Sequence, residues 1–158
     1  MKRRLFKLFS ILLVLVLIVG CSSSKVFDEG DFKITLTSDF ERSELEDVTY
    51  YYVSDDALVT ALKETVEELS VLGITKDSTI EDYAKLVIKA NGKDDEYQLK
   101  GDYAYFEYEA TVEGSDFYYI AVTYKAKDAF WLVNFMCTKK DKSLFKNKFF
   151  DWADSVEV

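Results

Sequence analysis

The run Tyr103-Ala104-Tyr105-Phe106-Glu107-Tyr108-Glu109-Ala110-Thr111-Val112, followed by Glu113-Gly114-Ser115-Asp116, alternates two sets of side chains. Ala104, Phe106, Tyr108, Ala110 and Val112 fall on one side, and Tyr103, Tyr105, Glu107, Glu109 and Thr111 on the other, the period of two that a strand produces. Upstream, Lys100-Gly101-Asp102-Tyr103 offers a two-residue turn with Gly first, which suits the mirror-image turns that match strand twist. Downstream, Glu113 to Asp116 turns the chain into a second strand, Phe117 to Tyr124, and Lys125 to Asp128 turns it again. Ala129 to Thr138 follows as the most apolar strand, expected at the centre of a sheet and covered on both faces. Residues 97–138 therefore read as an antiparallel meander.

Helices are expected on either side of it. Lys142 to about Ser155 places Phe145, Phe149, Trp152 and Val156 on one stripe, with Leu144 and Ala153 alongside and Asp141 or Ser143 as N-cap. Lys142 and Lys146 sit in its first turns, where the macrodipole favours acids, so tertiary packing must hold this helix. Asp77 to Gly92 reads as a second helix, with Ser78 and Glu81 as a capping box and Ile80, Tyr83, Ala84, Val87 and Ile88 on one face. Nearer the start, Phe32, Ile34 and Leu36 alternate along a first strand, and Val48 to Ser54, with Tyr50, Tyr51 and Tyr52, reads as another. Ala57 to Leu72 fits two patterns. Leu58, Ala61, Leu62, Val66, Leu69 and Leu72 make a helical stripe ending at Gly73, but Ala57 to Lys63 extends equally well as a strand before a short helix. The fold class is α+β, an antiparallel sheet of about five or six strands flanked by helices.

The 158 residues contain no His and no Pro, two Cys and 16% aromatic residues. Without His, the commonest general base and the usual activators of Ser and Cys nucleophiles are missing, which turns the reading away from most enzyme mechanisms. At 49% apolar residues the chain is too rich in core-forming side chains for disorder.

The N-terminus carries an address. Lys2-Arg3-Arg4-Leu5-Phe6-Lys7 precedes an apolar stretch from Leu8 to Val19 broken only by Ser10, long enough for export and short for a permanent span of about 20 residues. Ile18-Val19-Gly20-Cys21 resembles the lipobox of bacterial lipoproteins, against the alternative of an uncleaved N-terminal anchor. The resemblance implies cleavage after Gly20, a diacylglyceryl thioether on Cys21, and a chain held at the extracytoplasmic face of the bacterial membrane by its acyl groups. Residues 1–20 are then a signal peptide, 21–30 the lipidated Cys and a flexible tether, and 31–158 one domain. Cys137, in an apolar run, reads as a small buried hydrophobe, since nothing near it in sequence would activate a thiol.

Cleavage would remove four basic residues and leave 16 against 29 acids, a net charge near −13. Such a surface repels nucleic acid, which is excluded as a partner. Gly92-Lys93-Asp94-Asp95-Glu96 comes nearest to a cation loop, yet it lacks the alternating ligands of a calcium site and contains a Lys. Asp39 to Asp47 and Asp55-Asp56 are further acidic clusters. Glu107 and Glu109 share a strand face and are the candidates for a carboxylate pair, but read more simply as solvated acids. On that face, Tyr103 and Tyr105 either form an exposed aromatic interaction surface or lie beneath a second helix layer.

Taken in order, the first strand, the Tyr-rich strand ending at Ser54-Asp55-Asp56, the Ile80 to Ala84 helix, the meander, and the Phe130-Trp131 strand before the Phe149 to Trp152 helix resemble the PsbP-like superfamily. That superfamily comprises the α/β/α sandwich of DcrB-type lipoproteins and the photosystem II extrinsic P protein. The resemblance implies a strand at Ala57 to Lys63 and a non-enzymatic binding or assembly module; the anchor, the lack of catalytic residue types and the surplus aromatics add the expectation of a protein partner in the cell envelope. It carries over no catalytic motif, cofactor or metal site. The other functional class considered is a lipoprotein binding a small ligand or a divalent cation.

Overall fold

In the computed structural model, which describes residues 23–94 and 96–158, the meander forms the larger part of a seven-stranded antiparallel sheet. Its strands are β3 (Glu41–Ser43), β4 (Tyr50–Val53), β5 (Ala57–Thr65), β6 (Gln98–Lys100), β7 (Tyr103–Val112), β8 (Ser115–Lys125) and β9 (Ala129–Thr138), in the order β3-β4-β5-β9-β8-β7-β6. Two sequential runs meet where β5 pairs with β9, from Ala57 against Cys137 to Thr65 against Ala129. This central position suits β9, whose Trp131, Val133 and Phe135 are fully buried. The first tight turn acts as expected, and the second is shorter than the expected Glu113 to Asp116, with β8 beginning at Ser115 rather than Phe117. Gly101 (φ 57°) joins Lys100 to Tyr103, and Glu113 (φ 50°) with Gly114 (φ 82°) joins Val112 to Ser115.

The first expected strand is not part of that sheet. β2 (Lys33–Thr37) pairs instead with β1 (Ser24–Asp28) in a separate ribbon. The proposed tether is thus corrected in part, because Ser24 to Asp28 are paired and Phe27 is buried. Phe32, Ile34 and Leu36 do face a core, and the chain end closes on them: the Lys33 and Glu157 backbones exchange hydrogen bonds of 2.9 and 3.0 Å. The signal peptide and Cys21 lie outside the described residues.

Ala57 to Thr65 is strand, followed by the short α1 (Val66–Leu69), a 3-10 turn and Gly73 in the left-handed conformation (φ 88°). The helical stripe was misleading because burial alternates along β5, with Ala57, Val59 and Ala61 inward. In α2 (Ile80–Ala90), Tyr83, Ala84, Val87 and Ile88 are buried as read. The cap is shifted by one residue. Thr79 and Asp82 form the capping box, since the Ser78 hydroxyl is occupied by the Thr75 N–H at 3.0 Å. α3 (Lys142–Ala153) begins after Asp141, which makes no side-chain cap bond to the helix, and buries Phe145, Phe149, Trp152 and Ala153. Leu144, expected beside that stripe, is exposed.

These elements make three layers. On one face of the sheet, α3 and the β1-β2 ribbon enclose the main core of Phe32, Phe40, Tyr52, Tyr118, Trp131, Phe135 and Phe149. On the other, α1 and α2 pack Leu69, Ile74, Tyr83, Val87 and Ile88 on Phe106, Ala121 and Phe130.

Candidate interaction face

The two tyrosines expected to mark an interaction surface lie under α3. Tyr103 is 5% exposed and donates its hydroxyl to Asp154 at 2.7 Å. Burial, then the Asp154 carboxylate, pushes that phenol up to about 12. Tyr105 is half-buried, its ring set edge-on to Phe150 at 4.9 Å and its hydroxyl bonded to Gln98 at 2.7 Å. The open patch is thereby corrected: the final helix supplies the second layer, and its Phe150 covers Tyr105.

Glu107 and Glu109 sit on the same face and are bound by lysines. Lys146 reaches both Glu107 oxygens at 2.8 Å and Tyr118 donates to the same carboxylate at 2.7 Å. Lys139 and Lys142 approach Glu109 at 2.7 and 3.3 Å. Burial raises Glu107, but the Lys146 and Tyr118 hydrogen bonds outweigh it, and the Lys139 and Lys142 bonds lower Glu109. Both carboxyls therefore stay ionised at neutral pH, whereas an acid and base pair needs values driven apart. Cys137 is 2% exposed, and burial pushes its thiol up to about 11, so it packs as a hydrophobe.

At the C-terminal end of α2 lies an open groove of about 720 Å³ lined by Lys85, Lys89, Lys93, Asp94, Glu96 and Tyr97, among others. Lys85 lies 5.7 Å from the Tyr97 ring and Lys93 5.1 Å from that of Tyr108. The expected acidic loop, which itself contains Lys93, thus shares its groove with Lys85 and Lys89. Among the described residues no group of three His, Cys, Asp or Glu side chains is placed to hold a metal ion.

The face carrying α2 is only half covered. Strand register places Tyr108 opposite Tyr119, Tyr119 opposite Met136, Met136 opposite Leu58, and Leu58 opposite Val53, and directly opposed residues share a face. All five are half-buried. The Tyr108 and Tyr119 rings stack at 4.6 Å with only 2° between their planes. Beyond this row, Ala110 and Phe117 are half-buried and Val112 is 47% exposed. The row crosses five strands, a distance of about 19 Å. β9 is therefore central but fully covered on one face only. The sequence does carry a trace of this: Leu132, Asn134, Met136 and Thr138 mix polar with apolar residues, while Trp131, Val133, Phe135 and Cys137 do not.

An antiparallel sheet with α3 and a β-ribbon on one face and α1 and α2 over part of the other is an α+β sandwich. The solution structure of cyanobacterial PsbP (CyanoP) from Synechocystis sp. PCC 6803 superposes with a TM-score of 0.52 at 13% identity, covering 89% of this chain and 95% of that one. A crystal structure from Bacteroides thetaiotaomicron VPI-5482 superposes with a TM-score of 0.51 at 14% identity over 81% of this chain, which spans 45% of that protein. No family model and no curated protein sequence matches the chain. The similarity establishes the fold, which agrees with the resemblance read from the sequence.

Proposed function

We propose that the protein is a lipid-anchored, non-enzymatic interaction or assembly module on the extracytoplasmic face of a bacterial membrane, held there through Cys21 and engaging a protein partner of the cell envelope. The observation that carries this reading is the half-covered sheet face. Tyr108, at the margin of the α2 core, begins a contiguous half-buried row with Tyr119, Met136, Leu58 and Val53, and the last four lie outside that core. Aromatic and Met side chains of this kind are enriched where proteins bind one another. A PsbP-like domain displayed on a short lipidated segment suits such a role. Binding of a divalent cation has less support, because lysines line the groove beside the acidic loop.

The reading is tested in the native membrane with the full chain. A photo-crosslinking residue in place of Tyr119 should capture a discrete protein partner that the same residue at Val71, 86% exposed and remote from the row, does not. Met136→Lys should abolish that capture with the fold retained. A clickable fatty acid should label the wild type and not Cys21→Ala. Equal capture at both positions defeats the interaction face, and an unlabelled wild type defeats the anchor.

A further inference from the structure

β7 has ten residues, and its outer neighbour β6 pairs with only three of them, Tyr103 to Tyr105. Among the described residues, no strand lies against the rest of that edge. The two tight turns settle which backbone groups point outward. Residues flanking a two-residue hairpin turn form a hydrogen-bonded pair, and such pairs recur at every second residue. Val112, Ala110 and Tyr108 therefore bond inward to β8, opposite Ser115, Phe117 and Tyr119. Tyr103 and Tyr105 bond outward to β6, opposite Lys100 and Gln98. Both ends of the strand agree: Glu107, Glu109 and Thr111 direct their N–H and C=O groups at the open edge. None of these groups has a backbone partner among the described residues.

Open edges are commonly blocked by Pro, by bulges or by charges that cross them. This chain has no Pro. Its edge acids are drawn back onto the α3 face by Lys139, Lys142 and Lys146. What remains is a short strand with open backbone groups and an apolar side, Tyr108, Ala110 and Val112.

We infer that this edge pairs antiparallel with the same edge of a second copy, about a two-fold axis through Ala110. The strand is self-complementary in one register. Tyr108 faces the second copy's Val112, Ala110 faces its own counterpart, and Glu109 faces the second copy's Thr111. Glu109 and Thr111 both point outward, so each of their cross-pairs carries two backbone hydrogen bonds. Within the five-residue ladder from Tyr108 to Val112, apolar residues meet apolar residues, the small Ala occupies the axis, and no like charges oppose. Shifting the axis to Glu109 would set that carboxylate against itself, which is destabilising. The pairing also buries Val112 and joins the two half-covered faces into one. A five-residue ladder is far smaller than a standard interface of about 1,600 Å², so the dimer is weak in dilute solution and favoured by confinement. This inference does not rest on the proposed function.

The test is disulfide trapping with the full chain. At a non-hydrogen-bonded pair the Cα atoms lie about 4.5 Å apart, within disulfide range. On mild oxidation Ala110→Cys should give a reducible dimer at least tenfold stronger than that of Val71→Cys or of the wild type, which controls for Cys21 and the buried Cys137. Adding Thr111→Pro removes an outward N–H without touching the ladder to β8 and should lose the dimer. Should the Pro variant fail to fold, Val112→Lys at an exposed position should weaken trapping in the same way. Trapping of Ala110→Cys no stronger than Val71→Cys, or a dimer unaffected by Val112→Lys, overturns the pairing.

Discussion

Glu107 shows how a residue's neighbours reverse its plain reading. Alternation placed it correctly on the face with Tyr103 and Tyr105, but as a solvated acid; the structure pairs it with Lys146 of α3 and the Tyr118 hydroxyl. The same pair explains how a helix with lysines in its first turns is tolerated, since Lys142 and Lys146 are oriented by strand carboxylates rather than by the helix dipole. The consequence is a pH dependence. Burial raises the Glu107 carboxyl, but the Lys146 and Tyr118 bonds prevail and its folded value lies below the ordinary 4.5. The folded state thus binds this proton less readily than the unfolded state, and the resulting stability is complete above that ordinary value and lost as pH falls through the folded one. Denaturant unfolding at pH 7 and pH 3 should show a smaller loss of stability on acidification for Glu107→Gln than for the wild type. An equal loss would place the acid sensitivity elsewhere, for example at Asp31 or Asp154, whose carboxyls are lowered by Lys63 and Lys100 respectively.

Among the elements, those with a strong internal period were legible and those defined by pairing alone were not. β7, β8, β9, α2 and the buried stripe of α3 follow from alternation or helical spacing, because each buries one face and exposes another. β1 buries only Phe27 and β3 buries nothing, so neither has an alternation to read. β5 was ambiguous because Ala57 to Leu72 satisfies both periods, and only pairing to β4 and β9 decides it. The β7-β8 hairpin retains a local conflict. Glu113 sits at φ 50°, a left-handed conformation that strains a side chain with a Cβ. Asn tolerates that conformation, and Asn-Gly is the preferred pair for this turn. Glu113→Asn should stabilise the fold by about 0.5–1 kcal/mol in chemical denaturation, with the strain at a left-handed residue of about 1–2 kcal/mol as the upper limit.

Across the whole molecule, the two faces of the sheet differ in what they hold. The α3 face is a continuous aromatic core, with Phe149 fully buried between Phe135, Phe145, Tyr118 and Trp152. Phe149→Ala should cost about 3–5 kcal/mol, read as a lower denaturant midpoint with the slope unchanged. A cost below 1 kcal/mol would mean that this layer does not hold the fold. That loss is a large share of the 5–15 kcal/mol typical of a domain. On the opposite face, the buried cluster beneath α1 and α2 stops short of the Tyr119 to Val53 row, which is half-buried. By itself the sequence determined the antiparallel α+β class, the central place of β9, the buried stripes of α2 and α3 and the burial of Cys137, because periodicity and apolar content are local properties. Tertiary structure alone decided that Tyr103 and Tyr105 are covered, that Glu107 and Glu109 are paired with lysines, that β2 leaves the main sheet and that a different row is left half-buried. Each of these depends on how far one element reaches over another, and a strand's alternation names its two faces without saying which will be covered.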